Sequence, residues 1–94
     1  MGNTQVIMTV TGTVQGVSFR KHTRRMAEEL QVTGWVRNRD DGSVEGCFEG
    51  LRSNIEALLA WCSVGPERAR VESITREFHT FTGRFADFRI IADN

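Results

Sequence analysis

The sequence predicts an α+β fold: a split βαβ sandwich of order βαββαβ, with two helices packed on one face of an antiparallel sheet and a short extra strand towards the C-terminus. Three observations carry that prediction. Residues 6–14 alternate at the period of a strand, the apolar spacing changes to that of a helix from Phe19, and a strand followed by a helix recurs after a hairpin signal at Asp41-Gly42. The 94 residues are read as one domain spanning 1–94, large enough to bury its own core but too small for a second lobe, so any active site must sit on one face.

The first strand is read from Val6, Met8, Val10, Gly12 and Val14 alternating with Ile7, Thr9, Thr11 and Thr13, strong β-formers on both faces. Phe19, Thr23, Met26, Ala27 and Leu30 then fall on one helical stripe, with Lys21, His22, Arg24, Arg25, Glu28 and Glu29 on the other side. A second strand is expected over residues 32–38. Arg39-Asp40-Asp41-Gly42 supplies an Asp-Gly turn, and the third strand returns over 43–49. Gly50 is expected to break that strand, and Ser53-Asn54-Ile55-Glu56 has the pattern of a capping box before Ile55, Leu58, Leu59 and Cys62 at one-face helical spacing. This second helix is expected to end near Gly65-Pro66. Val71 and Ile74 lie on opposite parities of a fourth strand over 70–78, which predicts a bulge or twist. Residues 80–83 read as loose, a last short strand covers 87–91, and Phe78, Phe81, Phe85 and Phe88 are expected to seal the core beneath the final strands. The element order is that of a ferredoxin-like sandwich.

Composition narrows the function classes. Twelve Lys and Arg balance twelve Asp and Glu, so the chain lacks the positive field of a general nucleic-acid binder. Cys47 and Cys62 form no Cys-x-x-Cys pair and read as free thiols, pointing to neither a metal site nor a redox dithiol. No apolar run is long enough to cross a membrane, and the N-terminal residues lack a signal-peptide pattern. A cytoplasmic monomer without cofactor, metal, membrane or nucleic-acid partner is expected.

The residues richest in chemistry are Gln15, Gly16, Val17, Ser18, Phe19 and Arg20, where the first strand gives way to the first helix. A glycine-containing loop lets several N–H groups converge, the helix N-terminus adds partial positive charge, and Arg20 adds a guanidinium fork, which together make an oxyanion site. An arginine in the first turn opposes the helix dipole, so stabilising the helix is a poor explanation for it. Asn38 taken alone reads as a turn residue. Topology changes that reading, because the crossover through the first helix makes the first two strands parallel and brings the loop and the end of the second strand to the same sheet edge. With the third strand inserted between them, Arg20 and Asn38 start about 10 Å apart, two strand spacings, which leaves room for a phosphoryl group and one water. His22 and His79 read as surface histidines, Arg24 and Arg25 as a solvated face, and Trp35 either as packing or as a stacking surface.

These residues carry a specific likeness. The V-Q-G-V-x-F-R run ending at Arg20, the G-W-V-R-N run ending at Asn38, the turn from Asp41 to Glu45 and the stretch from Gly65-Pro66 to Val71 resemble the acylphosphatase family, in the same order and with family-like spacing over about residues 9–90. The resemblance implies a small metal-free hydrolase that splits acyl phosphates into a carboxylate and inorganic phosphate. It further implies that Arg20 and the loop amides grip the phosphoryl oxygens and that Asn38 positions the attacking water. Two positions depart from the pattern: Gln31 stands where many members have glycine after the helix-ending leucine, and Ser18 fills a position often held by glycine or another residue. The same fold also hosts RNA-binding and regulatory small-molecule modules. Phe48 has no aromatic partner in the first strand, which weighs against RNA. A module that binds phosphate without turnover is set apart from the enzyme by assay.

Overall fold

The computed structural model describes residues 2–93. Its elements are β1 (Asn3–Thr13), α1 (Phe19–Glu29), β2 (Thr33–Asn38), β3 (Val44–Leu51), α2 (Arg52–Cys62), β4 (Arg70–His79) and β5 (Phe88–Ile91). The sheet order is β4-β1-β3-β2-β5. β3 runs antiparallel to both β1 and β2, so those two strands are parallel to each other and end at the same edge. β4 adds antiparallel to β1, and the short β5 adds parallel to β2, which makes the five-stranded sheet mixed.

Strand periodicity builds the core on one face. Val6, Met8 and Val10 are fully buried and sit opposite Phe48, Gly46 and Val44, so alternate residues of β1 and β3 point the same way. Ile55, Leu58, Leu59 and Cys62 of α2 and Phe19 and Ala27 of α1 cover them, joined by Val36 of β2 and Phe88 of β5. The Phe48 ring lies over Gly46, where a side chain would collide with it.

Local details depart from the sequence expectations where tertiary contacts outweigh local signals. β1 starts earlier, at Asn3, and stops at Thr13, one residue short of Val14. β3 runs through Gly50 to Leu51 instead of breaking, because Gly50 keeps its pairing with Thr4 of β1. The capping box does not form: α2 begins directly after β3 with Leu51 at its N-cap and no side-chain cap. Glu56 bonds Arg52 one turn earlier and Arg76 of β4 instead. α2 ends at Cys62, and Gly65 (φ 76°) closes it with its N–H donating to the Trp61 carbonyl at 2.8 Å. The β4 bulge is present, since Thr11 pairs with Ser73 while Gly12 pairs with Val71, leaving Glu72 as the extra residue. Gly12 is required there, because a Cβ would collide with the Arg70 carbonyl.

The segment expected to be loose is anchored. Glu49, only 1% exposed, lies on the sheet face away from the helices and accepts from Gln5 Nε2 at 2.7 Å, Thr82 Oγ1 at 2.7 Å, and the Thr82 and Gly83 N–H groups at 3.0 Å each. Burial alone would push this carboxyl up, but the hydrogen bonds from Thr82, Gln5 and Gly83 together hold it below the usual glutamate value. Of the four phenylalanines expected to seal the core, only Phe88 is buried there. Phe78 packs at the margin, Phe85 is half-buried, and Phe81 is 38% exposed. Cys47 and Cys62 are buried free thiols, pushed by burial up to about 11 and about 12. Among the described residues, no helix is long and apolar enough to cross a membrane.

Candidate functional site

The loop between β1 and α1 is pinned by its own alternation: Val14 and Val17 are buried, while Gly16 and Ser18 are exposed. Gly16 has φ 74°, and Ser18, the N-cap of α1, has φ 62° and ψ 26°, both left-handed. Repeated reversals of this kind point successive N–H groups into one concavity. Among the described residues, the N–H groups of Gln15, Gly16, Val17 and Ser18 find no acceptor, and the first turn of α1 adds the free N–H groups of Phe19 and Arg20. Together these free N–H groups line the turn from β1 into α1, beside the partial positive charge of the helix N-terminus.

The Gln15 side chain faces the other way. Its Nε2 donates to the carbonyls of Arg39 at 2.7 Å and Ser43 at 3.0 Å, which ties the loop to the base of the β2–β3 hairpin. The hairpin is in turn fixed by Gly42 (φ 92°) and by Ser43, whose hydroxyl and N–H both donate to Asp41 and hold that carboxyl below its ordinary value. Asn38 is the last residue of β2, paired with Val44, so this hairpin sets its position relative to the loop.

Arg20 leaves the first turn of α1 towards the end of β5. Its Nη1 donates to the Ile91 carbonyl at 3.1 Å, and the guanidinium reaches Asp93 with Nη1 to Oδ1 at 3.3 Å and Nη2 to Oδ2 at 3.4 Å. Asn38 Nδ2 donates to the same Asp93 Oδ2 at 3.3 Å. The two side chains predicted to be neighbours therefore converge on one carboxylate oxygen. They border a cleft of about 380 Å³ that Gly16, Ser18, Phe19 and Lys21 also line, and a second depression of about 680 Å³ adjoins it at Asn38. Val17 and Phe19 are buried, Phe19 in a tilted ring contact with Trp61, so their side chains serve the core.

Sequence reasoning missed Asp93 and the Ile91 carbonyl. Both reach the site because β5 pairs parallel to β2, which carries the chain end to the edge where Asn38 lies. The signal available was weak: a four-residue strand and one acidic residue beyond it. Among the described residues, no group of three or more His, Cys, Asp or Glu is arranged to hold a metal ion. The donors gathered here are cationic or N–H groups, a set that attracts anions.

The two departures from the family pattern share one backbone state. Gln31 has φ 57° and, like Ser18, is a non-glycine residue in the left-handed region. It closes α1 in a Schellman motif, with Val32 N–H donating to Ala27 at 2.8 Å and Gln31 N–H to Glu28 at 3.2 Å. Glycine is favoured at such positions because it has no Cβ to clash.

Comparison with known proteins agrees with the residues. A family model described as Acylphosphatase matches residues 6–90. An acylphosphatase of Geobacter sulfurreducens is 48% identical over 86 residues, 92% of this chain and 94% of its own. One from Pelotomaculum thermopropionicum is 48% identical over 90 residues, 96% of this chain and 98% of its own. The solved structure of an acylphosphatase from Coxiella burnetii superposes with a TM-score of 0.91 at 41% identity, covering 96% of this chain and 94% of that one. A family model spanning nearly the whole chain, close relatives of matching length and a shared fold lead to one conclusion: the chain belongs to the acylphosphatase family of hydrolases.

Proposed function

We propose that this chain hydrolyses the carboxyl–phosphate anhydride of acyl phosphates without a metal ion, with Arg20 and the amides of residues 15–20 binding the phosphoryl group and Asn38 orienting the attacking water. The observation that carries this reading is the convergence of Arg20 Nη2 and Asn38 Nδ2 on a single carboxylate oxygen, at 3.4 and 3.3 Å. A carboxylate there stands in for part of a phosphoryl group, since both offer anionic oxygens to a guanidinium fork.

Phosphoryl transfer through a loose transition state asks chiefly for positioning and charge stabilisation. The loop amides and Arg20 take the equatorial oxygens, where charge builds. Asn38 cannot remove a proton, but its amide can accept from and donate to a water held in line with the leaving group. The water oxygen bonds to phosphorus, the bond from phosphorus to the acyl oxygen breaks, and the carboxylate leaves with the electron pair. The water proton passes to a phosphoryl oxygen, and because a carboxylate is a good leaving group no enzymic base is needed.

The test is hydrolysis of benzoyl phosphate by the wild-type chain, Arg20→Ala and Asn38→Ala, each with and without a chelator. Turnover should survive chelation, and removing one donor to the developing charge should cost about 10²- to 10³-fold in kcat. Normal turnover in Asn38→Ala alongside a collapsed Arg20→Ala would remove the water-orienting role. Tight phosphate binding with no turnover in the wild type would make the site a binding module.

A further inference from the structure

The groups assigned to the substrate are engaged by the protein's own carboxylate. Asp93 receives Arg20 at 3.3 and 3.4 Å and Asn38 at 3.3 Å. We propose that the Asp93 side chain is an internal competitor: it engages Arg20 and Asn38 in the free protein and withdraws before an acyl phosphate or inorganic phosphate binds. This inference rests on the reading of Arg20 and Asn38 given above.

Three features favour displacement over permanent support. The contacts are longer than the ~2.7–2.9 Å of a well-formed charge-assisted hydrogen bond, so the carboxylate lies in the site without being tightly gripped. Asp93 stands two residues beyond the end of β5, and its side chain is 58% exposed, so it can leave without disturbing the sheet. Arg20 also keeps a second acceptor, because Nη1 donates to the Ile91 carbonyl at 3.1 Å, and Ile91 is held in register with Arg37. The guanidinium therefore stays aimed when Asp93 departs.

An exposed pair of this kind is weak, so the competition is mild and lowers the fraction of sites open to phosphate without closing them. Asp93→Asn and Asp93→Ala should each lower the KM for benzoyl phosphate and the calorimetric Kd for inorganic phosphate by about two- to five-fold, with kcat unchanged. Asp40→Asn, which removes the same charge from the neighbouring turn, should leave both constants within about two-fold of wild type.

Unchanged KM and Kd in both Asp93 variants would overturn the proposal. So would a fall in kcat at constant KM, which would make Asp93 a positioning residue for Arg20. An equal gain in Asp40→Asn would also overturn it, by tracing the effect to the general field. Arg20→Ala separates the two levels of inference. If it binds phosphate as wild type does, the phosphoryl-site reading falls and takes the competitor with it. If it binds weakly while the Asp93 variants match wild type, only the competitor falls.

Discussion

Glu49 and Asp93 are both carboxylates held by donors from distant parts of the chain, and they are held in opposite ways. Glu49 is buried and receives four hydrogen bonds of 2.7–3.0 Å from Gln5, Thr82 and Gly83. Asp93 is exposed and receives contacts of 3.3–3.4 Å from Arg20 and Asn38. The first arrangement satisfies every need of a buried charge, so its donors are committed to the fold. The second holds one cation and one amide on an exposed carboxylate through longer contacts, so its donors are the less committed of the two sets. In this pair the short, buried contacts belong to the scaffold, and the longer, exposed ones join the side chains proposed for the chemistry.

The sharpest way to break that contrast is to remove one member from each side. Arg20→Ala should lower kcat for benzoyl phosphate by about 10²- to 10³-fold while shifting unfolding stability by less than about 1 kcal/mol, because its ion pair is exposed. Glu49→Ala should do the reverse. Losing charge-assisted hydrogen bonds and leaving Gln5 and Thr82 unpaired should cost about 2–3 kcal/mol in denaturant unfolding, with turnover per folded molecule retained. If Glu49→Ala abolished turnover in the folded protein, or Arg20→Ala unfolded it, the division between scaffold and site would not stand.

A smaller effect reads the same contrast through pH. The folded state holds Glu49 below its ordinary value of 4.5, so folding favours the charged form. That contribution is complete above the ordinary value and is lost as pH falls through the lower, folded value. Stability should therefore decline from about pH 4.5 downward, and the decline should be shallower in Glu49→Gln, measured by urea midpoints at successive pH values. The smallest effect expected is at Gln31. Gln31→Gly relieves a left-handed residue at the end of α1 opposite Arg20 and should raise stability by about 1 kcal/mol or less with kcat and KM unchanged.

What the sequence revealed follows the range of the forces involved. Strand and helix periods repeat over short windows, so the element order was legible from Val6, Met8 and Val10 and from Phe19, Thr23 and Ala27. Crossover topology then sufficed to bring Arg20 and Asn38 to one edge. The features that escaped are long-range. Glu49 looks like an ordinary strand carboxylate until Thr82 and Gly83 return to it, and Asp93 gains meaning only because β5 pairs parallel to β2. The capping box failed for the same reason: strong pairing of β3 with β1 carries the strand to Leu51, so α2 starts before Ser53 can cap it. The two family departures were visible as residues, but that both occupy left-handed backbone was not.

The hydrogen bond from Arg20 to the Ile91 carbonyl joins residues 71 apart in the chain. The loop before Arg20 is pinned to the β2–β3 hairpin through Gln15, whereas the guanidinium takes its aim from the last strand. The two parts of the proposed anion site thus lean on separate parts of the fold, and loosening β5 would misdirect the arginine while leaving the loop in place.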